Sequence, residues 1–379
     1  MNSLYVHIPF CSKICGYCDF STVGGAPRLF AEYVDLLLRE AEERFAKAGN
    51  FVQNFQTVYF GGGTPSVLPL KEFSRLVRGL ENLGVKFSQM REVDWECNPD
   101  SATEEIVENA ISLGVNRISL GIQSFDNRIL AEIGRRGSAE QAREALQRLQ
   151  NFQKSSKSLR LTADLMFWLP KQTLEDFERD VKELADSGIG HVSFYGLILN
   201  PKTVLGKKFA QKKLDLDEDL YPKMYRAGVK ILENAGIERY EVSNFAKIGE
   251  ESLHNRNYWL RGEYIGLGPS AHSFRESVRA AAPAKFNAWK NWVLAGAEES
   301  AMEIDRLGKQ ERIEEKIWLS LRTREGLDLQ RLEFEEFTKI PEQKIARWEE
   351  KGYLKRDENR LILQGDGWLW MDEIVSDFI

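Results

Sequence analysis

Three of the chain's four cysteines fall within eight residues, as Cys11, Cys15 and Cys18 in CSKICGYCDF. Thiolates are soft ligands, suited to zinc, copper(I) or iron–sulfur clusters. A structural zinc site wants four protein ligands in a closed tetrahedron. Either His7, four residues upstream, or Cys97, far off in sequence, would have to complete it. A cubane [4Fe–4S] cluster has four irons to ligate. Three thiolates hold three of them and leave one iron open to an exogenous ligand. The plainest alternative is three unligated core cysteines.

Further polar residues sit where strand-like runs end. YFGGGTP (59–65) carries Gly62, Gly63 and Thr64. Glycines leave the backbone bare, so a ligand can approach its polar groups. No Gly-Lys-Ser/Thr follows, which excludes a phosphate loop. ECNPD (96–100) places Glu96 after another run, and GIQSF (121–125) places Gln123 after the next. GRRGS (134–138) supplies Arg135, a fixed cation suited to a carboxylate. Asp164 lies inside the apolar run LTADLMFWL. Burying a carboxylate without partners costs several kcal/mol, so Asp164 is expected to face a polar ligand or an arginine.

These positions need a scaffold. Strand-like runs occur at 4–8, 57–61, 92–97, 117–123, 161–169 and 191–197. Amphipathic helical patterns separate them; over 28–47, for instance, Phe30, Val34, Leu37, Leu38 and Ala41 share one face. Ser101 with Glu104, and Thr173 with Asp176, read as capping boxes opening two of these helices. Six β/α units in series predict a mostly parallel sheet, either open or curled into a barrel. In both cases ligands bind at the carboxyl ends of the strands, where the motifs fall.

After about residue 200 the rhythm changes. YEVSNFA (240–246) and HNRNYW (254–259) mark an extension of the barrel over 201–300. The segment 301–379 reads as a small, mainly helical, winged-helix-like domain, with a hairpin turning at Asp357-Glu358-Asn359 and a charged surface suited to covering the barrel mouth. The net charge of −6 argues against broad nucleic-acid binding. No run approaches 18 apolar residues, and four cysteines do not make a disulfide scaffold. We therefore expect a cytoplasmic protein without a membrane span.

The C-x3-C-x2-C spacing with aromatic Tyr17 resembles the signature of the radical SAM superfamily. HIPFCSKICGYCDF, YFGGGTP, ECNPD, GIQSFD, YEVSNFA and HNRNYW together are similar to the branch holding oxygen-independent coproporphyrinogen III oxidases and HemW-type heme chaperones. The resemblance covers about residues 1–275 and continues faintly to the end. It implies a partial (β/α)6 TIM-like barrel and a [4Fe–4S] cluster on Cys11, Cys15 and Cys18. It also implies S-adenosylmethionine (SAM) chelated at the open iron, for reduction to a 5′-deoxyadenosyl radical. Carried over, the SAM site is Tyr5, Tyr17, Gly62, Gly63, Thr64, Glu96, Gln123, Arg135 and Asp164.

Three features favour the heme-chaperone side of the branch. Phe20 stands where the oxidase has a further cysteine, the chain starts four residues before Tyr5, and HNRNYW fits the HNxxYW pattern. Histidine is a good heme ligand, which makes His254 the expected heme residue and His272 a weaker candidate; His7 and His191 read as structural. Two positions depart from the branch. Gly137 replaces a usual histidine, and Trp168-Leu-Pro-Lys-Gln172 replaces Gly-Leu-Pro-Gly-Gln, so that Trp168 is expected to narrow the pocket or offer a stacking surface. The implied partners are heme, heme-accepting proteins such as respiratory enzymes, and an electron donor, with transient membrane contact. The competing readings are the oxidase itself, which turns propionates into vinyls, and a zinc-stabilised binding protein.

Overall fold

The computed structural model describes residues 1–156, 158–333 and 340–379. Six strands follow one another through the first half: β1 (Asn2–Ile8), β2 (Phe55–Gly62), β3 (Glu92–Cys97), β4 (Arg117–Gln123), β5 (Arg160–Phe167) and β6 (His191–Gly196). Each pairs in parallel with the next. Parallel neighbours require crossovers. These are α1 (Phe30–Ala48), α2 (Leu70–Asn82), α3 (Glu104–Ser112), the short α4 (Asn127–Glu132) with α5 (Ala139–Ser155), and α6 (Leu174–Asp186).

Strand side chains alternate between two faces. One set, including Val6, Phe60, Trp95, Leu120, Ala163 and Phe194, is buried in the core. Burial of each large side chain contributes about 1.5–3 kcal/mol. The other set is polar: Tyr59 on β2, Asp94 and Glu96 on β3, Arg117 and Ser119 on β4, Thr162 and Asp164 on β5, His191 and Ser193 on β6. All of these line one cavity on the concave face.

Thr173 and Asp176 form the expected capping box at α6. The cap of α3 is Thr103, whose hydroxyl accepts from the Ile106 N–H, and not Ser101. Ser101 Oγ is drawn instead to Ser66 Oγ, 2.6 Å away.

The sheet does not stop at six strands. The later chain adds β7 (Glu238–Arg239), β8 (Asn244–Ala246), β9 (Tyr264–Leu267), β10 (His272–Arg275), β11 (Val278–Ala281) and β12 (Glu303–Arg306). Among the described residues the order is β12-β11-β10-β9-β1-β2-β3-β4-β5-β6-β8-β7. Strand β9 runs parallel to β1, and β8 antiparallel to β6. A buried pair in α1 fastens the β9 side: Glu40 accepts from the Gly268 N–H and Trp289 Nε1, while Arg44 donates to Ser273 Oγ and the Gly266 carbonyl.

The terminal segment holds the helices Lys309–Leu321, Glu342–Glu350 and Met371–Phe378 with a three-stranded sheet. Two of its strands, Leu354–Asp357 and Arg360–Leu363, form the expected hairpin, with Glu358 at φ 51° in the turn. Its ion pairs reach Glu241 through Arg322, Glu251 through Arg324 and Arg256 through Glu325. On the other flank Glu315 pairs with Arg261 and Arg279. The segment thus braces the flanks and floor of the sheet rather than capping the mouth. Among the described residues no helix is long and apolar enough to cross a membrane.

Candidate functional site

The cysteine loop leaves the carboxyl end of β1 and is pinned from several sides. Its Gly16 N–H donates to the Ile133 carbonyl at 2.9 Å, beyond β4, and the Leu205 N–H, beyond β6, donates to the Gly16 carbonyl at 2.9 Å. His7 Nε2 lies 2.9 Å from the Ser21 carbonyl. The loop therefore stands over a cavity of about 360 Å³. Cys11, Cys15, Cys18, Tyr17, Gly62, Gly63, Thr64, Glu96, Gln123, Arg135 and Asp164 all line it. Of the cofactor candidates named from sequence, Tyr5, His254 and His272 do not. Tyr5 borders a neighbouring cavity of about 770 Å³, with its hydroxyl 3.0 Å from His7 Nδ1.

The glycine segment serves packing as well as lining. A Cβ on Gly62, at φ 108°, would meet the His7 ring at 2.4 Å, and one on Gly63 would meet the Phe10 carbonyl oxygen at 2.6 Å. The Gly62 N–H donates to Glu96 Oε2 at 3.1 Å and the Gly63 N–H to the Ile8 carbonyl at 2.8 Å. The bare backbone lets β1 and β2 close on each other beneath the cysteines. The N–H groups of Gly62 and Gly63 are thus both engaged within the protein. Thr64 Oγ1 lies 3.5 Å from Cys11 Sγ.

Glu96 accepts from Tyr59 Oη at 2.6 Å. Burial pushes its carboxyl up to about 7; the Tyr59 hydrogen bond opposes this and the nearby Asp164 charge adds to it. Asp164 accepts from Ser119 Oγ at 3.0 Å. Burial raises it to about 6, against hydrogen bonds from Ser193 and Ser119 and the more distant charge of Arg135. Its partners are thus chiefly serines. Arg135 is drawn into the cavity, donating to Asn98 Oδ1 at 2.8 Å, to Tyr17 Oη at 3.3 Å and to the Gly121 carbonyl. Gln123 ends β4 at φ 70°, just past a register shift.

The floor is charged. Arg117, only 1% exposed, pairs with Glu92 at 3.0 Å and Asp94 at 3.6 Å, and donates to the Glu250 and Glu251 carbonyls. Burial alone would raise Glu92, but Arg117 together with hydrogen bonds from Asp94 and the His254 and Leu253 backbone outweighs it and holds that carboxyl low; Asp94 is raised by burial and by Glu92. The helix Leu253–Trp259 closes this end through Glu92, which accepts from Ser252 Oγ and the His254 N–H.

His254 is fully buried in that helix. Its Nδ1 is 2.9 Å from Thr57 Oγ1 and its Nε2 is 2.8 Å from Tyr258 Oη. Burial lowers it to about 4. Both nitrogens are spent on the protein, so the structure does not present His254 to a ligand. Trp168 likewise turns from the cavity, packing edge-on against Tyr221 and donating to the Asp217 carbonyl.

Sequence reasoning missed Tyr59, Asn98, Asp94, Arg117, Ser119 and Ser193. The signal was present in part: Asp94 lies two residues before Glu96 on the same strand and Asn98 lies within ECNPD, whereas Tyr59, Arg117, Ser119 and Ser193 are brought in by register from other strands.

The donor set fits a three-thiolate cluster. His7 is engaged at both ring nitrogens and gives no fourth ligand. Among the described residues no three His, Cys, Asp or Glu form a site for a single metal ion; the three thiols line the same cavity, near enough for the charges of Cys11 and Cys15 to act on Cys18. All four cysteines are unbridged. Burial raises the Cys18 thiol to about 11, so ligation releases protons. A small polar ligand fits the remainder of the cavity, where Asp94 Oδ2 and His191 Nδ1 are buried without hydrogen-bond partners.

Residues 5–194 match the family model described as the radical SAM superfamily, and residues 307–370 match the HemN C-terminal domain. A heme chaperone HemW from Lactococcus lactis subsp. lactis is 32% identical over 383 residues, spanning 100% of this chain and 97% of that protein. One from Bacillus subtilis is 31% identical, spanning 100% and 99%. Among solved structures, the coproporphyrinogen III oxidase (HemN) from Escherichia coli, a radical SAM enzyme, superposes with a TM-score of 0.85 at 21% identity, over 100% of this chain and 89% of that one. That likeness concerns the fold.

Proposed function

This chain belongs to the radical SAM superfamily, in the HemN-like branch with the HemW proteins, and from that premise we propose that it is a heme chaperone of the HemW kind. It holds a [4Fe–4S] cluster on Cys11, Cys15 and Cys18 and SAM in the cavity below. It carries heme in the cytoplasm to heme-requiring proteins such as respiratory enzymes, and draws on an electron donor. When bound, a three-thiolate cluster supplies one open iron that an amino acid's amine and carboxylate can chelate, together with an electron. The chain's own residues do the rest. Arg135 sets a fixed cation beside the thiols for a ligand carboxylate. Glu96 and Asp164 accept ligand hydroxyl groups and attract cationic charge. Arg117 and the helix Leu253–Trp259 exclude water from below.

The observation that carries the reading is that Cys11, Cys15 and Cys18 share one cavity with Glu96, Arg135 and Asp164. Anaerobic reconstitution should load about four irons per chain, and Ser at any of the three cysteines should lower that load. Incubation with coproporphyrinogen III, SAM and a reductant should leave the porphyrinogen unchanged. Clear formation of protoporphyrinogen would overturn the chaperone reading in favour of the oxidase.

A further inference from the structure

We propose that heme is held in the 770 Å³ cavity beside the cluster cavity, with His272 as its iron ligand. This rests on the heme-carrying reading above and adds the place and the residue.

The chain has four histidines, and three are committed elsewhere. His7, 5% exposed, is bonded at both nitrogens to Tyr5 and Ser21. His254 is bonded at both to Thr57 and Tyr258. His191, 1% exposed, uses Nε2 on Tyr240 and faces the cluster cavity. His272, the first residue of β10, is exposed and lines the larger cavity. An imidazole able to reach iron needs a free nitrogen and an approach, and His272 is the histidine that combines them.

The cavity's walls suit a flat macrocycle. Tyr258, Trp259, Tyr264 and Phe274 come from the sheet side, and Trp318 from the terminal segment. Phe20 is 66% exposed and Trp318 40% exposed, so two large rings are left in water that a porphyrin face would cover. Arg261 and Arg279 stand in the same wall, both paired with Glu315, and would turn from it to meet propionate carboxylates. A volume of about 770 Å³ lies within the range of ligand pockets, roughly 300–1,000 Å³. The HNRNYW segment keeps a part in this arrangement. It supplies Tyr258 and Trp259 to the wall, and His254 acts as a positioning residue by fixing the Tyr258 hydroxyl from behind.

Hemin titration of the full-length, cluster-loaded protein tests this by absorption and ferric electron paramagnetic resonance. Wild type should show a displaced Soret band. His272→Ala should bind about tenfold more weakly or worse and lose the imidazole-ligated signature, with unchanged unfolding temperature and iron content; free imidazole should restore the signature. His272→Tyr should shift the band to that of a phenolate-ligated heme. His254→Ala should lower stability yet keep the wild-type band. If wild type binds no hemin, the heme-carrying reading falls. If wild type binds and His272→Ala keeps the same band and affinity, the assignment to His272 falls and the heme-carrying reading stands.

Discussion

Replacing Asp164 by Asn should make the protein more stable at pH 8 and leave it unchanged near pH 4. Burial moves this carboxyl from 3.8 to about 6. At about 1.4 kcal/mol per pH unit, that displacement sets an upper bound of ~3 kcal/mol. The side chain is half-buried and faces a cavity that admits water, so we expect about 1–2 kcal/mol after screening. The sign follows from linkage. Between pH 4 and 6 the unfolded chain has released this proton and the folded chain still holds it. Stability therefore falls as pH rises through that window, then levels off. An asparagine removes the slope. Ser119 and Ser193 can each donate or accept, so the hydrogen bonds survive the change, and Glu96 is relieved of a like charge. Urea titrations of both proteins from pH 4 to 8 give the comparison. A difference that does not grow over pH 4–6, or a variant less stable at pH 8, would refute the argument that this aspartate is held at a cost while it waits for a polar ligand.

SAM affinity should rise about tenfold between pH 6 and 8, because Glu96 at about 7 and Asp164 at about 6 must ionise to hold hydroxyls and cationic charge; isothermal titration giving a flat profile would count against both roles. Gly62→Ala should lose about 2–4 kcal/mol, since its Cβ would stand 2.4 Å from the His7 ring in left-handed backbone; wild-type stability by urea titration would show that β1 yields more easily than its packing implies. Arg117→Met should cost about 3–5 kcal/mol by stranding Glu92, and adding Glu92→Gln should recover part of it; additive losses in that double-mutant cycle would mean the pair is uncoupled.

The six parallel strands were readable because short runs rich in β-branched and aromatic residues end in Gly, Pro or Asn and alternate with helical patterns. The cluster loop and its neighbours were readable because a barrel gathers the carboxyl ends of its strands. What lay outside local pattern is long-range pairing. Nothing in YIGL announces that it joins β1, some 260 residues away, since that depends on the buried Glu40 and Arg44. The direction of His254 was equally hidden. A seven-residue helix has no strong periodicity, and its facing is fixed by Thr57 and Glu92 at the feet of other strands. Ser101 and Thr103 are two hydroxyls of similar capping strength, and the choice between them fell to Ser66.

Asp19 and Phe20 border both cavities, while the Arg117 network blocks the far end of the smaller one. The two cavities therefore share a wall at these residues. If heme rests in the larger cavity as proposed, it stands against the same Asp19 and Phe20 side chains that line the cluster cavity. Loading one cavity would thereby bear on the wall of the other.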